Sequence, residues 1–199
     1  MTLLHLKHMG KSIGIRFPAA LDDVNRTIIE LKRPYDAPGH VRINADSPVE
    51  NLTQYIKCAN PENEADVLKL NQLAVKIDGM RLQELYTFSG ALDAEKPNGL
   101  DDVLRIADSL DQYELLGEVS TDRELGNWLV EHGCLDVNFP EAVRPYLDYV
   151  AIGAEYYANH GGAYTMHGYV KRREPSQEQT VERRPFPEEV QGQQMSGMT

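Results

Sequence analysis

An α+β fold, laid out as an elongated row of small units, is predicted for this chain of 199 residues by two features of its pattern. Apolar and polar residues alternate with period two near each end, and apolar residues recur at helical spacing through the middle. Pro and Gly punctuate the segments between them.

The alternation from Leu3 to Phe17, centred on Met9-Gly10-Lys11, predicts a hairpin that Pro18 ends. Leu21, Val24, Ile28, Ile29 and Leu31 then repeat at helical spacing. Pro34 and Pro38 close that helix before a short strand around Val41-Arg42-Ile43-Asn44. These elements form a small α+β unit over residues 1–59, an N-terminal sheet plus a helix.

Residues 60–110 read as a helical middle. Asn60 is placed to cap a helix with Pro61 at its first position, and Val67, Leu70, Leu73, Ala74 and Ile77 mark its buried stripe up to Gly79. A second helix runs from Arg81 to about Ala94, and Pro97-Asn98-Gly99 breaks it. A third places Leu100, Val103, Leu104, Ala107 and Leu110 on one face and turns Asp101, Asp102 and Asp108 toward solvent.

A mixed α/β C-terminal unit follows over residues 111–172. Thr121-Asp122-Arg123-Glu124 reads as a capping box before the stripe Leu125, Trp128, Leu129, with a stop at Gly133. Pro140 is expected to start a helix that runs through Tyr149 or beyond, and Gly161-Gly162 leads into a strand from Ala163 to Lys171. Residues 173–199, rich in Glu, Gln, Pro and Ser, are expected to be a disordered tail.

The net charge is −11, and its distribution says more than its size. Residues 61–160 hold 20 Asp and Glu against 7 Lys and Arg, a net −13, which leaves +2 for the rest. Such a segment repels nucleic acid and anionic membrane and attracts the basic surfaces that grip DNA. Many soluble domains are acidic for solubility alone, so charge by itself decides nothing. No apolar run is long enough to span a membrane, and the first residues lack the core and cleavage site of a signal peptide. Cys58 and Cys134 form no CxxC pair, as expected of a reducing, cytoplasmic compartment.

Catalytic patterns are missing from the sequence. It has no Gly-rich phosphate loop, no HExxH, no GxSxG and no acidic triplet at calcium-loop spacing. His160 and His167 flank a glycine-rich turn without a ligand pattern around them. Asp101 and Asp102 sit at a helix start, where the dipole favours negative charge without any acid–base role. No enzymatic activity, cofactor or metal is therefore expected.

The C-terminal third carries a set of spaced short motifs. Asp111-Gln112-Tyr113-Glu114, Thr121-Asp122, Glu124-Leu125-Gly126, Tyr146-Leu147-Asp148-Tyr149 and Gly153 are followed by Gly161-Gly162-Ala163-Tyr164-Thr165 and Gly168-Tyr169-Val170. In order and spacing these residues resemble the ArdA family of antirestriction proteins, over about residues 62–171. Val150 stands where that family has an acidic residue, and Ala154-Glu155 where it has Arg-Asp.

The resemblance implies a homodimer whose carboxylates imitate DNA phosphates and occupy the DNA groove of a type I restriction-modification enzyme, at its methyltransferase core. Such a protein binds neither nucleic acid nor membrane itself. A net −13 corresponds to roughly 6 or 7 base pairs of duplex, and a dimer to about twice that. The candidate carboxylates are Asp101, Asp102, Asp108, Asp111, Glu114, Glu118, Asp122, Glu131, Asp148 and Glu155. Asp102, Asp108, Glu118, Glu131 and Glu155 have no evident structural duty and lead the set, whereas Glu124 reads as a cap and Asp122 as a dipole partner. An acidic adaptor for another basic DNA-handling protein has the same composition and is separated from this reading only by the motifs.

Overall fold

The computed structural model describes residues 2–33, 39–135, 137 and 139–173. It mixes seven helices with two small antiparallel sheets, the α+β class that the sequence predicts. The segment 34–38, with both helix-closing prolines, and the tail from residue 174 lie outside the described residues.

The first sheet has the order β2-β1-β3, with β1 Thr2–His8, β2 Lys11–Phe17 and β3 Arg42–Asp46. Met9 and Gly10 make the hairpin turn, both at positive φ, as a two-residue connection between twisted strands requires. Leu4 and Leu6 of β1 and Ile43 of β3 face inward and are fully buried. Helix α1, Leu21–Lys32, closes on that face through Val24, Ile28 and Leu31, three of the five stripe positions. Ile29 is exposed instead.

Helix α2, Leu52–Ile56, is one short turn that sequence periodicity does not reveal. The next helix, α3, spans Glu64–Gly79 and buries all five predicted stripe residues, but Asn63 caps it rather than Asn60. The Asn63 side chain accepts from the Ala65 amide, while Asn60 accepts from Glu62 N–H in the preceding turn. Glu64 and Asp66 sit in the first turn, where the helix dipole favours them, and this places the start three residues later than Pro61 suggests. Helices α4, Leu82–Glu95, and α5, Leu100–Asp108, follow within a residue or two of their predicted ends.

Strand β4, Tyr113–Leu116, is too short to read in advance. Helix α6, Asp122–Glu131, has its predicted Thr121 cap, with Thr121 Oγ1 accepting from Glu124 N–H. The reciprocal half of the box is displaced by one residue, because Glu124 accepts from the Ser120 amide and hydroxyl. No helix begins at Pro140. Pro145 lies five residues on, where a helix interior would lose a backbone donor and clash, so a 3-10 turn at Arg144–Tyr146 intervenes. Helix α7 starts only at Tyr149, capped by Asp148, and runs to His160. The expected single strand is a hairpin, β5 Ala163–Thr165 and β6 Gly168–Arg172, in a second sheet of order β4-β6-β5. Gly168, at φ 134°, makes the reversal possible.

Two apolar cores hold these elements. One runs without a break across residue 60, joining Leu4, Phe17 and Ile43 of the first sheet to Leu70, Phe88 and Val103 of the middle helices and on to Tyr113 and Val170. The other is smaller, with Leu116, Val119, Leu125, Leu129, Tyr156 and Tyr169 between α6, α7 and the second sheet.

Candidate functional site

The carboxylates that the sequence singles out are divided by the structure into three kinds. The first kind is ion-paired. Asp101 accepts from Lys69 Nζ at 2.7 Å, and Asp108 meets Lys76, so residues seven apart on α5 pair with residues seven apart on α3. The Asp101 hydrogen bond holds the Lys69 ammonium above the usual lysine range. Asp102 is half-buried, accepts from the Asn98 amide and lies 3.4 Å from Arg105. Asp102 and Asp108, expected to have no structural duty, are thus engaged, and the α5 face carries cations among its acids.

The second kind is structural. Asp122 accepts from the Tyr164 hydroxyl at 2.8 Å across the C-terminal unit. Burial first, and then this carboxylate, push the Tyr164 phenol well above its ordinary pKa. Asp148 accepts from the Ala151 amide at 3.1 Å as the cap of α7. Neither side chain is available for a partner without weakening the fold.

The third kind has no ion pair among the described residues: Asp111, Glu114, Glu118, Glu131 and Glu155. Asp111 is in the 3-10 turn Leu110–Gln112, and Glu114 is on β4. With Glu84 they border an open cleft that also contains Arg81 and Arg173. Glu118 stands at positive φ in the turn before α6, and Glu131 ends that helix. These two line a second open cleft, of about 690 Å³, together with Glu124 and Arg123. Its wall includes Trp128, whose indole stacks on His132 at 4.3 Å between ring centres. Glu155 is exposed on α7.

Glu84 and Glu124 are the acidic residues at these clefts that the candidate set omits. Glu124 and Glu131 are seven apart and Trp128 lies between them, a one-face spacing that is visible in the sequence once Glu124 is considered as more than a cap. Glu124 remains a cap as well, and its hydrogen bonds from Ser120 hold its carboxyl below the usual range.

Three glycines of the C-terminal motifs serve the scaffold. Gly126 and Gly153 lie at the crossing of α6 and α7, where a Cβ on either would enter the backbone of the other helix. A Cβ on Gly162 would come within 2.7 Å of the Tyr169 ring. A carboxylate pair suited to acid–base work needs one raised pKa in a dry cleft, and the clefts here are open to solvent. Among the described residues no three His, Cys, Asp or Glu side chains come together as a metal site, and no helix is long and apolar enough to cross a membrane. Neither a protein-family model nor a curated protein sequence matches this chain.

Proposed function

We propose that this chain is a non-enzymatic antirestriction protein of the ArdA type, a DNA mimic that occupies the DNA groove of a type I restriction-modification enzyme. It acts as a homodimer in the cytoplasm. The observation that carries the reading is the group of exposed carboxylates Asp111, Glu118, Glu131 and Glu155, without an ion pair among the described residues, within a segment of net −13.

The mechanism is competition. Carboxylates fixed on helices and tight turns present negative charge to a groove lined by Lys and Arg, and the attraction needs no further ordering of the mimic. Glu118 and Glu131 are the centre of this surface, because α6 is anchored by the glycine crossing with α7. Helix α5 contributes less than its three aspartates suggest. Asp101 and Asp108 lie roughly 10 Å apart along the axis, about three base pairs of rise, but Lys69 and Lys76 neutralise them in place.

The test is the plating efficiency of unmodified phage on a host with a type I restriction system, with and without this protein. The proposal expects plating to be restored toward the level of a restriction-deficient host. Unchanged restriction in cells that contain the folded protein would refute it and favour an acidic adaptor for another partner.

A further inference from the structure

The two edges of the first sheet differ in how their backbone is met. Lys11 follows His8 across the two-residue turn, so the hydrogen bond of that turn directs the Lys11 backbone toward β1. Backbone direction alternates along an antiparallel strand. Ile13, Ile15 and Phe17 therefore also bond to β1, and Ser12, Gly14 and Arg16 point their N–H and C=O groups outward. The same alternation, carried through β1, turns Ile43 and Ala45 outward on β3. That edge is closed. Thr53 Oγ1 accepts from the Ala45 amide at 2.8 Å and donates to the Ala45 carbonyl.

The β2 edge has no such cover. Among the described residues, no group outside the sheet meets the amide or carbonyl of Ser12, Gly14 or Arg16, and all three residues are exposed. The first cap comes only past the strand, where Asn71 accepts from the Ala19 amide and donates to its carbonyl. An open edge of seven residues is a template for another strand, and β2 has neither the proline nor the bulge that would blunt it.

Strand β2 is also complementary to itself. Set antiparallel to a second β2 about a two-fold axis at Gly14, all seven residues pair: Lys11 with Phe17, Ser12 with Arg16, Ile13 with Ile15, and Gly14 with its own copy. The outward-pointing residues then form the hydrogen-bonded pairs. Ile13 and Ile15 form the non-hydrogen-bonded pairs, in which side chains approach most closely. Both isoleucines are only partly buried against the core, so this pairing covers apolar surface that one copy leaves open. It opposes no like charges, since Lys11 faces Phe17 and Arg16 faces Ser12.

We propose that β2 is the interface between two copies of this chain, which joins their N-terminal sheets into one sheet of order β3-β1-β2-β2-β1-β3. The inference rests on the homodimer of the proposed function and names its interface. Whether the carboxylates mimic DNA is decided separately, by plating efficiency.

The experiment combines sedimentation of the full chain with amide hydrogen exchange, at low and high protein concentration. One strand pair is a small interface, so the expected dimer has a dissociation constant of about 1 to 100 µM. The Ser12, Gly14 and Arg16 amides should exchange more slowly as the dimer forms. Ser12→Pro removes an outward N–H that the single copy does not use, so the hairpin survives while strand addition is blocked. This variant, with the circular dichroism of the wild type, should dimerise at least about tenfold more weakly. If it does not fold, exchange in the wild type decides alone. A monomeric wild type, a dimer whose Ser12, Gly14 and Arg16 amides gain no protection, or a folded Ser12→Pro that dimerises as well as the wild type would overturn the proposal. Restored plating by a monomeric chain would sink this interface and leave antirestriction standing, and a β2 dimer without restored plating would do the reverse.

Discussion

Gly126 on α6 and Gly153 on α7 face each other so closely that a Cβ built on Gly153 would be 2.9 Å from the Gly126 nitrogen and in collision with the Asp122 carbonyl. The two helices therefore meet backbone to backbone, and the obstacle to a side chain is main chain that cannot rotate away. Gly126→Ala should destabilise the protein by about 3 kcal/mol, the upper side of ordinary overpacking costs. Urea denaturation measures this. A variant as stable as the parent would show that the crossing has slack.

Asp148 lies in the most motif-like stretch of the chain, and its observed duty is to cap α7. Asp148→Ala should cost about 1 kcal/mol, whereas Asp148→Asn, which keeps an acceptor oxygen, should cost only a few tenths. Thermal melts of the two variants separate the cap from the charge. Equal losses would mean that the negative charge itself stabilises the helix.

Tyrosine ionisation provides a pH-dependent check. Burial, and next the Glu95 carboxylate 2.9 Å away, push the Tyr113 phenol up to about 12. Tyr55, Tyr164 and Tyr169 are raised as well, chiefly by burial. A folded pKa above the unfolded value of about 10 means that stability is complete below pH ~10 and is lost as the pH rises toward 12. Tyrosinate absorbance should show these four of the ten tyrosines ionising late, together with loss of structure. Titration of all ten near pH ~10 in a folded chain would contradict these burials.

Lys69 and Lys76 offer a prediction of the opposite sign to most substitutions. Both are about two-thirds buried and pair with Asp101 and Asp108, and partly exposed pairs of this kind stabilise little, typically under about 1 kcal/mol. The double variant K69Q/K76Q should remain folded and should inhibit a type I methyltransferase several-fold better, because two aspartates lose their counter-ions. Unchanged inhibition by the folded variant would place α5 outside the binding surface.

Much of the fold was legible because long amphipathic segments write their stripes plainly. All five apolar positions predicted for α3 are buried, and the hairpin turn at Met9-Gly10 falls where the alternation reverses. Short elements were not legible. Strand β4 and helix α2 contain four and five residues, too few for either period to emerge. No helix starts at Pro140, because Pro145 interrupts the stretch that follows it and a 3-10 turn forms there instead.

The candidate site was legible only in part. Composition locates the acidic segment, but whether a given carboxylate is spare depends on partners distant in sequence. Asp108 and Lys76 are 32 residues apart, and Asp122 and Tyr164 are 42 apart. Neither pairing has a local signature.

The central claim is that exposed charge carries the activity, and Asp111→Asn, Glu118→Gln, Glu131→Gln and Glu155→Gln together test it most directly. These four have no ion pair among the described residues, so folding should be spared. The measurement is competition with DNA for a type I methyltransferase core, by wild type and quadruple variant, at low and moderate salt, with circular dichroism confirming structure. The account predicts a loss of about tenfold to a hundredfold in affinity, or about 1 to 3 kcal/mol, and wild-type inhibition that weakens as salt rises. A folded quadruple variant that competes as well as the wild type would contradict it.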